Sequence, residues 1–138
     1  MALAGYSATP LAKKLGIKEG FSARLINQPS NYFDLFSDFP PNIKWQKDKN
    51  IRKDFIHYFT KSVKELFVEL PALKSEIQPA GMIWVSWPKK ASKIPTDVTE
   101  NIIRNFALSI GLVDIKVCAV DEIWSGLKLV IPIKDRTK

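Results

Sequence analysis

Segments rich in aromatic and β-branched residues alternate along this chain with helical stripes, and that alternation narrows the possible architectures more than any other feature. The strand-like segments run from Phe21 to Ile26, Ile43 to Gln46, Asp54 to Phe59, Met82 to Trp87, Val113 to Val120 and Leu127 to Ile133. Thr9-Pro10 predicts the N-cap and first turn of an opening helix that ends at Gly16. A second helix over Asn31 to Phe36 must stop before Pro40-Pro41. Ser62-Val63-Lys64-Glu65 matches a capping box ahead of the stripe Val63, Leu66, Phe67, Leu70. Pro71 should kink or restart that helix, which runs on to a turn at Pro79-Ala80-Gly81. Asp97-Val98-Thr99-Glu100 offers a second capping pattern, for a helix with Val98, Ile102, Ile103, Phe106, Ala107 and Ile110 on one face and Gly111 at its end. Strands separated by helices pair in parallel through right-handed crossovers, whereas the short loop Asp121 to Gly126 makes the last two strands an antiparallel hairpin. The expected fold is α/β: a small, doubly wound, mostly parallel sheet with a C-terminal antiparallel hairpin, formed as one domain over residues 1–138.

Composition limits the setting. With 46% hydrophobic residues in 138, the chain can bury a core of ordinary single-domain size. The one cysteine, Cys118, has no partner for an internal disulfide, and Met1 to Pro10 lack a basic region followed by an apolar run. Runs such as Met82-Ile83-Trp84-Val85 fall far short of the roughly 20 apolar residues that span a bilayer. A cytoplasmic protein without a membrane segment is expected. Lys and Arg number 21 against 14 Asp and Glu, so the formal charge is +7 and anionic partners are favoured electrostatically. The basic residues are scattered, as on a solvated surface.

The order of elements, closing on a hairpin, resembles the Rossmann-like scaffold of S-adenosylmethionine-dependent methyltransferases, and Leu15-Gly16-Ile17-Lys18-Glu19-Gly20 resembles their lead-in to the first strand. In that superfamily the first strand runs into a glycine-rich turn where backbone amides approach the cofactor. Here the turn is Asn27-Gln28-Pro29-Ser30, without glycine and with one amide removed by Pro29. Only Lys47 to Lys53 separates the second and third strands, so the third strand of the fuller fold has no place. A second resemblance, to a family of small bacterial proteins known only as a domain of unknown function, lies in Gly5-Tyr6-Ser7, Thr9 to Gly16, Trp87-Pro88-Lys89-Lys90-Ala91-Ser92 and Val117 to Lys128. It implies no activity, cofactor or substrate.

In open α/β sheets ligands bind beyond the carboxyl ends of the strands, where strand order reverses. That point falls between the first and third strands, near Asn27, Gln28, Ser30 and Asn31 on one side and Thr60, Lys61 and Ser62 on the other. Helix amides and Lys61 would hold an anion there, unless Asn31 and Ser62 serve only as caps. The fourth strand delivers Trp87, Lys89 and Lys90 to the same edge, and the hairpin loop brings Asp121, Glu122 and Trp124. These two loops should touch, either as a phosphate or base-stacking site or as a contact in which Asp121 and Glu122 neutralise the lysines. His57 and Cys118 sit inside strands and read as packed side chains, and neither a catalytic triad nor a metal-ligand motif is visible. Lys44, Lys47, Lys49, Arg52 and Lys53 around Trp45 form a basic cluster that could track a phosphate backbone, though a solvated loop is the commoner meaning. The leading expectation is a non-catalytic binding domain, without a cofactor, that uses the strand-end crevice for a small anionic or nucleotide-like ligand or a protein partner. A degenerate S-adenosylmethionine-dependent methyltransferase is the alternative, and a nucleic-acid-binding protein ranks third.

Overall fold

A computed structural model describes residues 9–136. Six strands form one sheet in the order β2-β1-β3-β4-β6-β5. They are β1 (Ser22–Ile26), β2 (Lys44–Trp45), β3 (Lys53–Phe59), β4 (Ile77–Pro88), β5 (Val113–Ala119) and β6 (Trp124–Val130). β2, β1, β3 and β4 pair in parallel, and β6 runs antiparallel to both β4 and β5. The helices are α1 (Leu11–Leu15), α2 (Val63–Lys74) and α3 (Glu100–Ser109). The sheet is therefore doubly wound and mostly parallel with a C-terminal antiparallel pair, as the alternation of elements implies. No helix among the described residues is long and apolar enough to cross a membrane.

Alternation along the strands divides the core into two layers. Ile56 and Tyr58 of β3, Ile83 and Val85 of β4, and Leu127 and Leu129 of β6 face α2 and α3, meeting Leu66, Leu70, Leu73, Ile103 and Ala107. Phe55 and Phe59, Met82 and Trp84, and Trp124 and Val130 face the other way, toward Leu11 and Leu15 of α1 and Tyr32 of a short 3-10 turn. With both faces covered, Phe55 to Phe59 of β3 and the second half of β4 are buried throughout, which is why they are so rich in aromatic and β-branched residues.

Several boundaries differ from the sequence reading, each for a physical reason. Pro10, not Thr9, is the N-cap of α1, and the orphan amides of Ala12 and Lys13 are bound at 3.1 and 3.2 Å by the Asp38 carboxylate from a distant loop. The helix expected over Asn31 to Phe36 is a single 3-10 turn, Tyr32–Leu35. α2 continues through Pro71 without a restart, because Leu66, Leu70 and Leu73 hold its axis on the sheet. Pro79 to Gly81 lie within β4 rather than in a turn before it. Between the pairs Lys53↔Ile77 and Phe55↔Met82, β4 takes five steps against two on β3, so these residues bulge out of the ladder. Gly81 is needed there, since a Cβ would fall 2.8 Å from the Lys53 carbonyl oxygen. α3 is capped by Thr99, whose Oγ1 accepts from the Ile102 amide at 3.2 Å, with buried Val98 just outside the helix. Finally, β6 begins at Trp124. Ser125 and Gly126 belong to the strand, paired with Trp87 and Ser86 of β4, and glycine suits the second position because a Cβ there would meet Cε3 of the Trp84 ring at 3.0 Å.

Candidate functional site

β1 leads outward to β2 and β3 leads the other way to β4, so strand order reverses between β1 and β3. Beyond their carboxyl ends lies a cavity of about 520 Å³ whose wall includes Asn27, Phe59, Thr60, Lys61, Glu65 and Trp124. Asn27 leaves β1 in the left-handed region, at φ 58°, a conformation its short polar side chain tolerates. From there its Nδ2 donates to the Phe59 carbonyl at 3.2 Å and to Glu65 Oε1 at 3.3 Å, tying β1 to β3 and to the first turn of α2. Glu65 also accepts from the Tyr58 hydroxyl at 2.8 Å. Burial first, with Glu65 adding to it, holds the Tyr58 phenol well above its ordinary range. Tyr58 therefore stays protonated and donating.

Side chains already hold two amides at the amino end of α2. Ser62 Oγ accepts from the Glu65 amide at 3.1 Å, and Asp97 Oδ1 accepts from the Val63 amide at 2.9 Å. Capping thus engages the Val63 and Glu65 amides, and Asp97 serves α2 rather than α3. Lys61, exposed at the lip, remains as the cation of the crevice, while its carbonyl accepts from Thr96 Oγ1 at 2.8 Å. Thr60 is buried and bonds locally to Ser62 through its hydroxyl.

The cavity floor is aromatic. Trp124 meets Phe59 edge to face with centroids 5.0 Å apart, and Phe59 stacks on His57 at 4.2 Å. His57 is fully buried, with Nδ1 3.0 Å from the Tyr32 hydroxyl and Nε2 2.7 Å from Ser86 Oγ. Burial lowers its pKa to about 3, so the ring is neutral. Sequence reasoning missed this Tyr32-His57-Ser86 chain because the three residues lie in separate elements. Ser86 and His57 have the proximity of a nucleophile and its base, but both are 0% exposed and no substrate reaches them. Cys118 is half-buried, and burial pushes its thiol up. Among the described residues no group of three or more His, Cys, Asp or Glu side chains could hold a metal ion.

The remaining sequence candidates divide among different places. Gln28 lines a separate groove of about 230 Å³ with Phe33, Trp45 and Lys47. Ser30 and Asn31 are exposed in the loop, and Asn31 makes no capping hydrogen bond with its side chain. The β4 and hairpin loops do touch, but not through opposed charges. The Lys89 amide donates to the Ile123 carbonyl at 2.7 Å and Lys89 Nζ to the Asp121 carbonyl at 2.6 Å. The Asp121 carboxylate is spent inside its own turn, accepting from the Ile123 and Trp124 amides. Lys90 is exposed, and Asp121 and Glu122 border another cavity of about 340 Å³ beside Lys14 and Leu35. Trp87 turns into the opposite core layer and does not line the crevice, whereas Trp124, equally buried, presents an edge to it. Lys53, expected in the basic cluster around Trp45, is fully buried, with Nζ 2.8 Å from Glu76 Oε1, while Arg24 binds the same carboxylate.

Neither a protein-family model nor a curated protein sequence matches the chain. Solved structures do match. A SAM-dependent methyltransferase from Aquifex aeolicus aligns over 88% of this chain and 88% of its own with a TM-score of 0.57 and 14% identity. A magnesium protoporphyrin IX methyltransferase from Synechocystis PCC 6803 with bound SAM aligns over 88% and 74% at a TM-score of 0.58 and 11% identity. The fold is methyltransferase-like. A ribosomal protein L11 methylase from Lactobacillus delbrueckii subsp. bulgaricus aligns over the same shares of the two chains, with a TM-score of 0.56 and 11% identity. At such identities the likeness concerns the scaffold and not the chemistry performed on it.

Proposed function

We propose that this chain is a non-catalytic binding domain that takes a small nucleotide-like ligand in the crevice beyond β1 and β3. The observation that carries the reading is the cavity itself: about 520 Å³ at the switch point, with Phe59 and Trp124 as an aromatic wall and Lys61 at the lip. A planar base gains from aromatic contact, and a single lysine suits a single phosphate as a point charge. With the Val63 and Glu65 amides of α2 taken by Asp97 and Ser62, and Glu65 in the wall, the crevice favours one negative charge over several. Two-dimensional amide NMR with adenosine 5′-monophosphate tests the assignment. Shifts concentrated at Asn27, Thr60, Lys61 and the Trp124 indole support it, and shifts confined to other surfaces count against it.

A degenerate S-adenosylmethionine-dependent methyltransferase is the second reading, and the scaffold favours it. That cofactor would supply a transferable methyl group, but the residues present do not fit it. Where a glycine turn leaves backbone amides open, Asn27 spans the crevice to Phe59 and Glu65, and Pro29 removes a donor.

A further inference from the structure

Lysines from three parts of the chain converge on the sheet face that α1 covers, away from the crevice. On the β5·β6 ladder Lys116 stands directly opposite Lys128, an arrangement that is destabilising for like charges. Lys128 packs beneath the carboxyl end of α1, where a Cβ on Gly16 would lie 3.6 Å from its Nζ. Lys116 Nζ reaches across to the Lys14 carbonyl at 3.0 Å, and Lys14 Nζ returns to the Ala119 carbonyl at 3.1 Å. Lys18 follows in the same loop. Burial first, then the charges of Lys116 and Lys18, hold the Lys128 ammonium below the ordinary lysine range.

Among the described residues no carboxylate forms an ion pair with Lys14, Lys18, Lys116 or Lys128, although Glu122 borders the cavity beside Lys14. The ion pairs of the described residues join Arg24 and Lys53 to Glu76, and Arg104 to Glu100 and Asp114. Residues 1–8, 137 and 138 contain neither Asp nor Glu. A cross-strand lysine pair with two further lysines beside it costs the folded state free energy, and an anion from outside the chain removes that cost. Four ammonium groups ask for several negative charges on one flexible ligand, and lysine serves phosphate well. We propose that Lys14, Lys18, Lys116 and Lys128 form a site for a phosphoanhydride chain, either free or carried on a nucleoside triphosphate.

The test is thermal unfolding with inorganic tripolyphosphate, with ATP as a second arm, at about 0.15 M salt, where weak surface attraction is largely screened. For the wild type the expected result is a saturable rise in Tm. In the double variant K116Q/K128Q the ligand-free Tm should equal or exceed that of the wild type, because the opposed charges are gone. Its affinity for tripolyphosphate should fall about tenfold or more. Lys18→Gln, at an exposed loop position, gives a smaller loss and serves if the double variant folds poorly. Lys61→Gln leaves the tripolyphosphate shift unchanged, which separates this site from the crevice. Equal shifts with tripolyphosphate and ATP in the Lys61→Gln background, where the crevice is weakened, support a chain-reading site. The proposal is overturned if the wild type shows no saturable shift with tripolyphosphate, if ATP alone acts, or if the double and Lys18 variants respond as the wild type does.

Discussion

The single histidine makes the pH dependence of stability open to a clean experiment. His57 has an ordinary pKa of 6.5 and is lowered to about 3 by burial in the folded protein. A depressed group of this kind contributes stability that is fully present above the unfolded value and is lost as pH falls from 6.5 toward 3. The unfolded chain takes up a proton that the folded chain refuses. At pH 5, 1.5 units below the unfolded pKa, the loss relative to pH 8 is about 2 kcal/mol, at about 1.36 kcal/mol per unit. Glu76, which Lys53 and Arg24 hold below its ordinary 4.5 against the cost of burial, titrates below this window. Denaturant unfolding at pH 8, 6.5 and 5 measures the slope. His57→Gln supplies the control: it loses ring packing against Phe59 and weakens the bonds to Tyr32 and Ser86, costing about 1–3 kcal/mol at every pH, but it flattens the profile. A wild-type stability unchanged between pH 8 and 5, or an equal slope in His57→Gln, refutes the assignment of a buried neutral ring.

Three further perturbations probe the scaffold. Glu76→Gln leaves Lys53, 0% exposed, without its counter-charge and should cost about 3–5 kcal/mol in chemical denaturation, whereas a change below 1 kcal/mol would show that the pair is dispensable. Asp97→Ala removes the oxygen that accepts from the Val63 amide and should lower stability by about 1 kcal/mol, with earlier amide exchange in the first turn of α2 as the local sign. Gly81→Ala drives a methyl group against the Lys53 carbonyl, 2.8 Å away, and should destabilise by about 1–3 kcal/mol; a neutral result would mean that the bulge of β4 yields freely.

The sheet could be read from the sequence because its burial pattern is strong. Asp54 to Phe59 and Met82 to Trp87 are aromatic and β-branched since both faces of β3 and β4 are covered. Local punctuation misled where tertiary contacts overrode it. Pro71 and Pro79-Ala80-Gly81 read as breaks, yet one sits in a helix held by three leucines and the other in a bulge. Gly126 read as a turn and is instead the residue beneath the Trp84 ring. The switch-point residues Asn27, Thr60 and Lys61 could be found because topology alone brings strand ends together. Side-chain direction could not be found that way. Trp87 and Trp124 lie at paired strand ends but enter opposite core layers, and Asp97 and Asp121 satisfy backbone amides rather than lysines. The lysine cluster was hidden because Lys14, Lys116 and Lys128 meet only through the β5·β6 register and the placement of α1.

Calorimetric titration of the wild type with adenosine 5′-monophosphate and, in parallel, with S-adenosylmethionine tests the proposed use of the crevice most directly. The account predicts saturable heat with the mononucleotide, weakened about tenfold in Lys61→Gln by the loss of one charged contact, and no measurable heat with S-adenosylmethionine. A micromolar Kd for S-adenosylmethionine, with no binding of the mononucleotide, would contradict it.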